Sequence, residues 1–225
     1  MKNQDKYYLK NEADAFFYRN KYNFDNIPSK KKDLVDKFQN NLKHSSIKNI
    51  LEIGCHIGDL LNYSITKFKA DKGFGIEPSK EAITEGEKRF EKCSFYNTVA
   101  SEMDNFKDIP KCDLIIVNDV FCWMSRETIF KSLANIDNKI NDNGFIIIRD
   151  FYPNFKIRNR NKHVNDSDVY CHKIVGSHVN LFLQIGCYQL INSQVFIDDN
   201  FNLSLPNKYD YSENRWIDAL LKKTW

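Results

Sequence analysis

An α/β fold built on an open, doubly wound parallel sheet is what this sequence predicts, and three observations carry it. Strand-like apolar runs alternate with amphipathic helix-like runs between residues 48 and 150. The run "CDLIIVND" (112–119) is almost continuously apolar, as a central parallel strand covered on both faces has to be. The first strand breaks at Gly54 and Gly58 just before a helix-like run, which is where bare backbone can approach a ligand.

The elements follow in order. Apolar spacing predicts helices over 12–20 ("EADAFFYRN") and 31–43 ("KKDLVDKFQNNLK"). A strand at 48–53 leads into a helix over about 59–69. "GFGIE" (73–77) reads as the second strand. "SKEAITEGEKRFEK" (79–92) is a helix with Ser79 as its cap, because a serine oxygen there satisfies a free N–H of the first turn. "CSFYN" (93–97) is a short third strand, followed by the central strand 112–119. An amphipathic helix over 126–140 ends in the turn "NDNG", and "FIIIRD" (145–150) is another buried strand. Beyond 150 the rhythm changes to a polar loop (151–172), a helix-like stretch (173–186) and strand-like "YQLINSQVFID" (188–198). Residues 214–223 fit strand or helix by pattern alone.

With 225 residues and 42% hydrophobic content, the chain can bury one substantial core and is too short for two domains. A net charge of +3 does not announce a nucleic-acid binder. No run approaches the ~18 apolar residues of a membrane span, and the N-terminal stretch lacks the apolar region of a secretory signal. The six cysteines contain no CxxC pair, so neither a disulfide framework nor a metal site is expected. A reduced, cytoplasmic enzyme or binding domain fits these bounds.

Ligands of such sheets bind outside the carboxyl ends of the strands, so the loops after Ile53, Ile76, Asn97, Val117 and Arg149 are the ones to search. The first opens within "NILEIGCHIGDLL" (49–61), where Glu52 stands inside an apolar strand. About twenty residues on, Glu77 closes the second strand, at the spacing where an acid can accept hydrogen bonds from ribose hydroxyls.

"LEIGCHIG" resembles the first motif of class I S-adenosylmethionine-dependent methyltransferases, which carry an acid two residues before the first glycine. The resemblance implies a Rossmann-like, mostly parallel seven-stranded sheet with 214–223 as an antiparallel strand. It also implies one domain over 1–225: an N-terminal helical lid (1–46), a cofactor-binding core (47–150), and an acceptor loop with C-terminal strands (151–225). S-adenosylmethionine would be the cofactor and S-adenosylhomocysteine the product. Glu52, Gly54, Cys55, His56 and Gly58 would form the cofactor loop, and Glu77 with Pro78 would hold the ribose. Ala100 and Ser101 match the adenine region; Asn118 and Asp119 would face cofactor and acceptor. The sequence departs from the commonest family loop at His56, where that loop has glycine. "EADAFFYRN" together with "EIGCxxG" is similar to bacterial methyltransferases of surface-glycan and nonulosonic (pseudaminic) acid gene clusters. By that likeness Tyr18, Arg19 and Asn20 close over the methionine end, Arg19 pairing its carboxylate.

A sulfonium methyl is already electrophilic, so the protein has to place a nucleophile in line and remove its proton. The stretch 149–173 offers His163 as base, with Asp150 and Tyr152 as orienting or binding groups. Arg158, Arg160, Lys162 and Lys173 are candidates to grip a phosphorylated acceptor such as a nucleotide sugar, and Tyr170 is a further substrate-binding candidate. The expected reaction is methyl transfer to a small polar acceptor, at oxygen of a sugar or related glycan precursor. Rival readings are an RNA or protein methyltransferase, an NAD-dependent oxidoreductase, and a non-catalytic subunit that binds the cofactor. Nucleic acid ranks below small molecules because the Asn-Pro-Pro-Tyr motif is absent; Asn118 is followed by Asp-Val-Phe.

Overall fold

A computed structural model describes residues 4–21, 27–164, 169–197 and 214–224. The chain opens with α1 (Gln4–Tyr7), a π-helical turn (Tyr8–Glu12), α2 (Ala13–Asn20), α3 (Ser29–Asp36) and α4 (Gln39–Leu42). The alternating core follows: β1 (Asn49–Ile53), α5 (Asp59–Phe68), β2 (Lys72–Glu77), α6 (Lys80–Arg89), β3 (Cys93–Asn97) and a 3₁₀ turn (Ala100–Asn105). It continues with β4 (Cys112–Asn118), a second 3₁₀ turn (Phe121–Trp123), α7 (Arg126–Lys139) and β5 (Ile140–Phe151). The remaining elements are β6 (Ile157–Arg160), β7 (Tyr170–Lys173), α8 (Val179–Ile185), β8 (Tyr188–Ile197) and β9 (Arg215–Lys223).

Seven strands form one sheet in the order β3-β2-β1-β4-β5-β9-β8. The five strands from β1 to β5 run parallel, β9 lies antiparallel to β5, and β8 antiparallel to β9. The expected α/β fold with an N-terminal helical segment is therefore present, and 214–223 is a strand. Alternation along β4 builds both core layers. Ile115 and Val117 join the layer under α7 and α8, whereas Leu114 and Ile116 join the layer under α3, α4 and α5. All four are fully buried, each contributing roughly 1.5–3 kcal/mol by area burial. No helix among the described residues is long and apolar enough to cross a membrane.

Several expectations are corrected. The helix over 31–43 is two pieces, α3 and α4, with Phe38 between them outside helical geometry (ψ 2°). The polar loop 151–172 contains β6 and β7, which pair antiparallel. Their alternation is real, since Ile157, Cys171 and Lys173 point inward, but its polar residue types hide it. The helix over 173–186 begins only at Val179, because Gly176 and Ser177 both take left-handed backbone (φ 73° and 64°). β5 is also longer than the expected 145–150 run.

One buried ion network ties the N-terminal helices to the sheet. Arg149 donates from Nε and Nη2 to the two oxygens of Asp218 (2.6 and 2.7 Å), and Lys37 Nζ reaches Asp218 Oδ2 at 2.6 Å. A third Arg149 nitrogen, Nη1, donates to the Lys30 carbonyl at 2.7 Å. The Asp218 carboxylate is fully buried, so removing it leaves Arg149 and Lys37 with the exposed Asp33 as their remaining carboxylate partner. Asp218→Ala should lower the unfolding free energy by roughly 3–5 kcal/mol in urea titration. A loss below about 1 kcal/mol would show that both cations find water instead.

Candidate active site

The carboxyl ends of β1, β2 and β4 open into a cavity of about 550 Å³, roofed by the N-terminal helical segment. That volume falls within the range of small-molecule sites, about 300–1,000 Å³. Glycine-loop geometry shapes its floor. Gly54 sits at φ 69°, and a Cβ there would lie 2.5 Å from Val120 Cγ2, so a side chain is excluded by both space and backbone. Gly58, at φ 81°, starts α5. His56 adopts the left-handed conformation that the usual loop leaves to glycine (φ 53°). Its ring packs against Phe16 and Phe17, with centroids at 5.7 and 5.9 Å.

Two acids stand at the strand ends. Glu52 is buried in β1, its Oε2 has no hydrogen-bond partner, and burial pushes its carboxyl well above the usual range. Glu77 closes β2 and accepts from His56 N–H at Oε2 and from Ser79 N–H at Oε1, both at 2.8 Å. Burial outweighs these two donors and pushes it up to about 7. Burial, then the neighbouring Lys31, lowers His56 to about 4, so its ring is neutral near pH 7. Ser79 caps α6 as expected, accepting from Ala82 N–H at 3.0 Å, and also donates to Asp14 of α2 at 2.7 Å.

The turn after β4 supplies Asn118 and Asp119, both lining the cavity. Asp119 lies at φ 58°; burial, with Asp150's charge adding to it, pushes it up to about 7 against the hydrogen bond from Cys122. The roof supplies Tyr8 and Glu12 from the π-helical turn, and Arg19 and Asn20 from α2. Arg19 Nη2 contacts Glu12 Oε1 at 2.5 Å, so its guanidinium is already engaged within the protein. Asn161, just past β6, reaches the same carboxylate at 3.5 Å and accepts His163 N–H at 2.9 Å.

The structure brings together, around one cavity, Glu52, Gly54, His56, Glu77, Pro78, Ala100, Asn118, Asp119, Arg19, Asn20 and His163. Other expected residues lie elsewhere. Cys55 is buried beneath Gly75, Gly58 packs on Phe95, and Ser101 points to Asp5. Tyr18 is half exposed outside the cavity. Asp150 does not line the cavity: its Oδ2 accepts from Ser177 Oγ (2.6 Å) and His178 N–H (2.8 Å), and pairs with His178 Nδ1 at 2.8 Å. Burial would raise Asp150, but the facing His178 more than offsets it and holds the carboxyl below its ordinary value. Tyr152 stacks beside Arg215 outside the cavity. Arg158 covers the Tyr170 ring at 3.7 Å, Lys173 lies over Phe151, and neither these nor Arg160 line the cavity. Sequence reasoning missed Asp5, Tyr8, Glu12, Trp123 and Asn161. Trp123 was within reach of the strand-end rule, since it follows Asp119 in the same loop.

Residues 51–146 match the family model described as a methyltransferase domain. That match covers less than half of the chain. The matched methyltransferase segment runs from β1 into β5. Among solved structures, the chain is similar to N-methyltransferase NodS of Bradyrhizobium japonicum in complex with S-adenosylhomocysteine. That match has a TM-score of 0.62 at 14% identity, over 99% of this chain and 100% of that one. It is also similar to the 1,6-didemethyltoxoflavin-N1-methyltransferase of Burkholderia thailandensis (TM-score 0.70, 12% identity, 100% and 92% covered). A third is the plantazolicin methyltransferase BpumL (TM-score 0.63, 18% identity, 99% and 96% covered). At such identities the likeness is one of fold. An uncharacterised protein of Rickettsia prowazekii (strain Madrid E) is 31% identical over 103 residues, spanning 44% of this chain and 41% of that relative.

The donor set suits the methyl donor of such a domain. A buried carboxylate oxygen without a partner, a bare glycine backbone and a second acid on two N–H groups offer hydrogen bonds to ammonium and hydroxyl groups. Glu77 yields a test by linkage. Its folded value near 7 exceeds the unfolded 4.5, so the folded state keeps a proton that the unfolded state releases between those limits. Stability from this group is therefore present below pH 4.5 and lost as pH rises through 7. Relative to Glu77→Gln, the ligand-free wild type should lose on the order of 2–3 kcal/mol between pH 4.5 and 7, read by urea unfolding at each pH. Parallel curves for the two proteins would show that Glu77 is ionised throughout.

Proposed function

We propose that this chain transfers a methyl group from S-adenosylmethionine to an oxygen of a small polar acceptor, a sugar or related surface-glycan precursor. One observation carries the reading: a single cavity runs from the Glu77 end, past Asn118 and Asp119, to Tyr8, Trp123, Asn161 and His163. Glu52, Gly54, Glu77, Asn118 and Asp119 would hold the cofactor, with Arg19 and Asn20 closing over it. Tyr8, Trp123 and Asn161 would bind the acceptor. Of the three expected catalytic groups, His163 alone lines the cavity, and it is exposed at the mouth, where an imidazole can return a proton to solvent.

When bound, the sulfonium supplies an electrophilic methyl group. The chain's own work is then to orient the acceptor hydroxyl and take its proton as the new C–O bond forms. His163 accepts that proton, and Asn161 fixes the backbone of the loop carrying it. The N-terminal segment keeps bulk water from the reacting atoms. Because Arg158, Arg160, Tyr170 and Lys173 stand outside the cavity, the geometry favours recognition of the sugar itself over a grip on phosphate. A cavity of about 550 Å³ also favours a small acceptor over RNA or a folded protein.

The deciding experiment supplies tritiated-methyl S-adenosylmethionine with panels of sugars, nucleotide sugars and amines, alongside the macromolecular fraction of a cell extract. Label in a low-mass sugar supports the proposal. Label confined to RNA or protein overturns it, and label in the amines alone moves the reaction to nitrogen. With an acceptor in hand, His163→Ala should slow turnover by roughly 100-fold or more while calorimetry finds S-adenosylhomocysteine affinity unchanged. Undiminished turnover would remove His163 from the chemistry.

A further inference from the structure

The N-terminal segment does more than roof the cavity. Asp5, in the first helical turn of the chain, is only 7% exposed and yet lines the cavity. Its Oδ2 accepts a hydrogen bond from Ser101 Oγ at 2.6 Å, which fixes the carboxyl group beside Ala100. The neighbouring wall consists of Ile76, Pro78, Val99, Ala100 and Met124, an apolar slot suited to a flat ring. The slot is itself held rigid: Asn135 Nδ2 donates to the Ala100 carbonyl at 2.9 Å, and both groups are buried. A buried acid needs donors, and the hydroxyls of Ser101 and Thr128 use only part of a carboxylate's accepting capacity. A flat ring bearing an exocyclic amine would meet that need.

We propose that Asp5 is a specificity residue of the cofactor site, accepting a hydrogen bond from the exocyclic amine of the adenine ring seated between Pro78, Val99 and Ala100. This rests on the cofactor reading above and deepens it. An acid on the N-terminal segment thereby reads the base, while the acid at the end of β2 holds the sugar. Adenine and hypoxanthine differ at this edge, an amine donor being replaced by a carbonyl acceptor. A carboxylate that requires a donor rejects the second, because its own lone pair then faces another.

The test compares two ligands, S-adenosylhomocysteine and S-inosylhomocysteine, by calorimetry at pH 8 on the full chain. Wild type should bind the adenosyl compound at least about tenfold more tightly. Asp5→Asn, whose amide can turn a donor toward a carbonyl, should narrow that ratio to within about threefold. Gln4→Ala serves as the structural control. Gln4 Nε2 donates to the carbonyls of Trp123 (2.6 Å) and Tyr170 (3.1 Å), and its Oε1 accepts Tyr170 N–H at 2.9 Å, so this variant loosens the segment without touching the slot. It should weaken both ligands together and leave their ratio intact. A ratio preserved in Asp5→Asn would overturn the assignment and reduce Asp5 to an anchor for Ser101. Failure of wild type to bind either compound would overturn the cofactor reading itself.

Discussion

The buried Glu77 carboxylate is the interaction on which the site's geometry depends. It holds two backbone N–H groups at once, one from the glycine loop after β1 and one from the start of α6. Gly54 and Cys55 N–H already donate to the Ile76 carbonyl (2.8 and 3.1 Å), and the Glu77 carboxyl extends that hold to His56 and across to the start of α6. With both oxygens engaged, the loop carrying His56 is fixed against the end of β2 despite its strained backbone. Burial opposes ionisation, and the two donors oppose burial, so the group stands near neutrality until a ligand offers further hydrogen bonds.

Around that clasp, hydrophobic burial does the bulk of the work. β4 lies between β1 and β5 and feeds both layers through strict alternation of its side chains. The chain can then leave the sheet's carboxyl edge for polar groups, since nothing there is needed for the core. Asp119 and Asn118 occupy that edge directly beyond the last buried residue, Val117. The Arg149–Asp218–Lys37 network plays the complementary part, pinning α3 to the far strands so that the roof starts from a fixed point.

Much of this was legible in the residues, and the rest was hidden for physical reasons. The glycine pair, the acid at each strand end and the Ser79 cap are local features, set by turns and termini within a few residues of each other. The continuous run of β4 is equally plain. By contrast, the fate of Asp150 depends on Ser177 and His178, 27 and 28 residues away, delivered by a left-handed turn whose second residue is a serine. Tyr8 and Glu12 enter the cavity from a π-helical turn, where the 3.6-residue period fails and an amphipathic pattern misplaces side chains. β6 and β7 alternate with Arg, Asn and Lys in place of the usual apolar signal. Position in space, not residue type, separates His163 from Arg158 and Lys173, and only tertiary structure can supply it.

The docking of residues 4–20 has a kinetic corollary. Gln4 is stitched to the second 3₁₀ turn and to β7, Asp5 to Ser101, Asp14 to Ser79, and Phe17 is seated against Ile57 and Ala82. These fastenings lie along the wall of the cavity, so their loosening widens the way in and out of it. Exchange of whatever fills the cavity is thus tied to residues 4–20 as well as to the strand ends that form its floor.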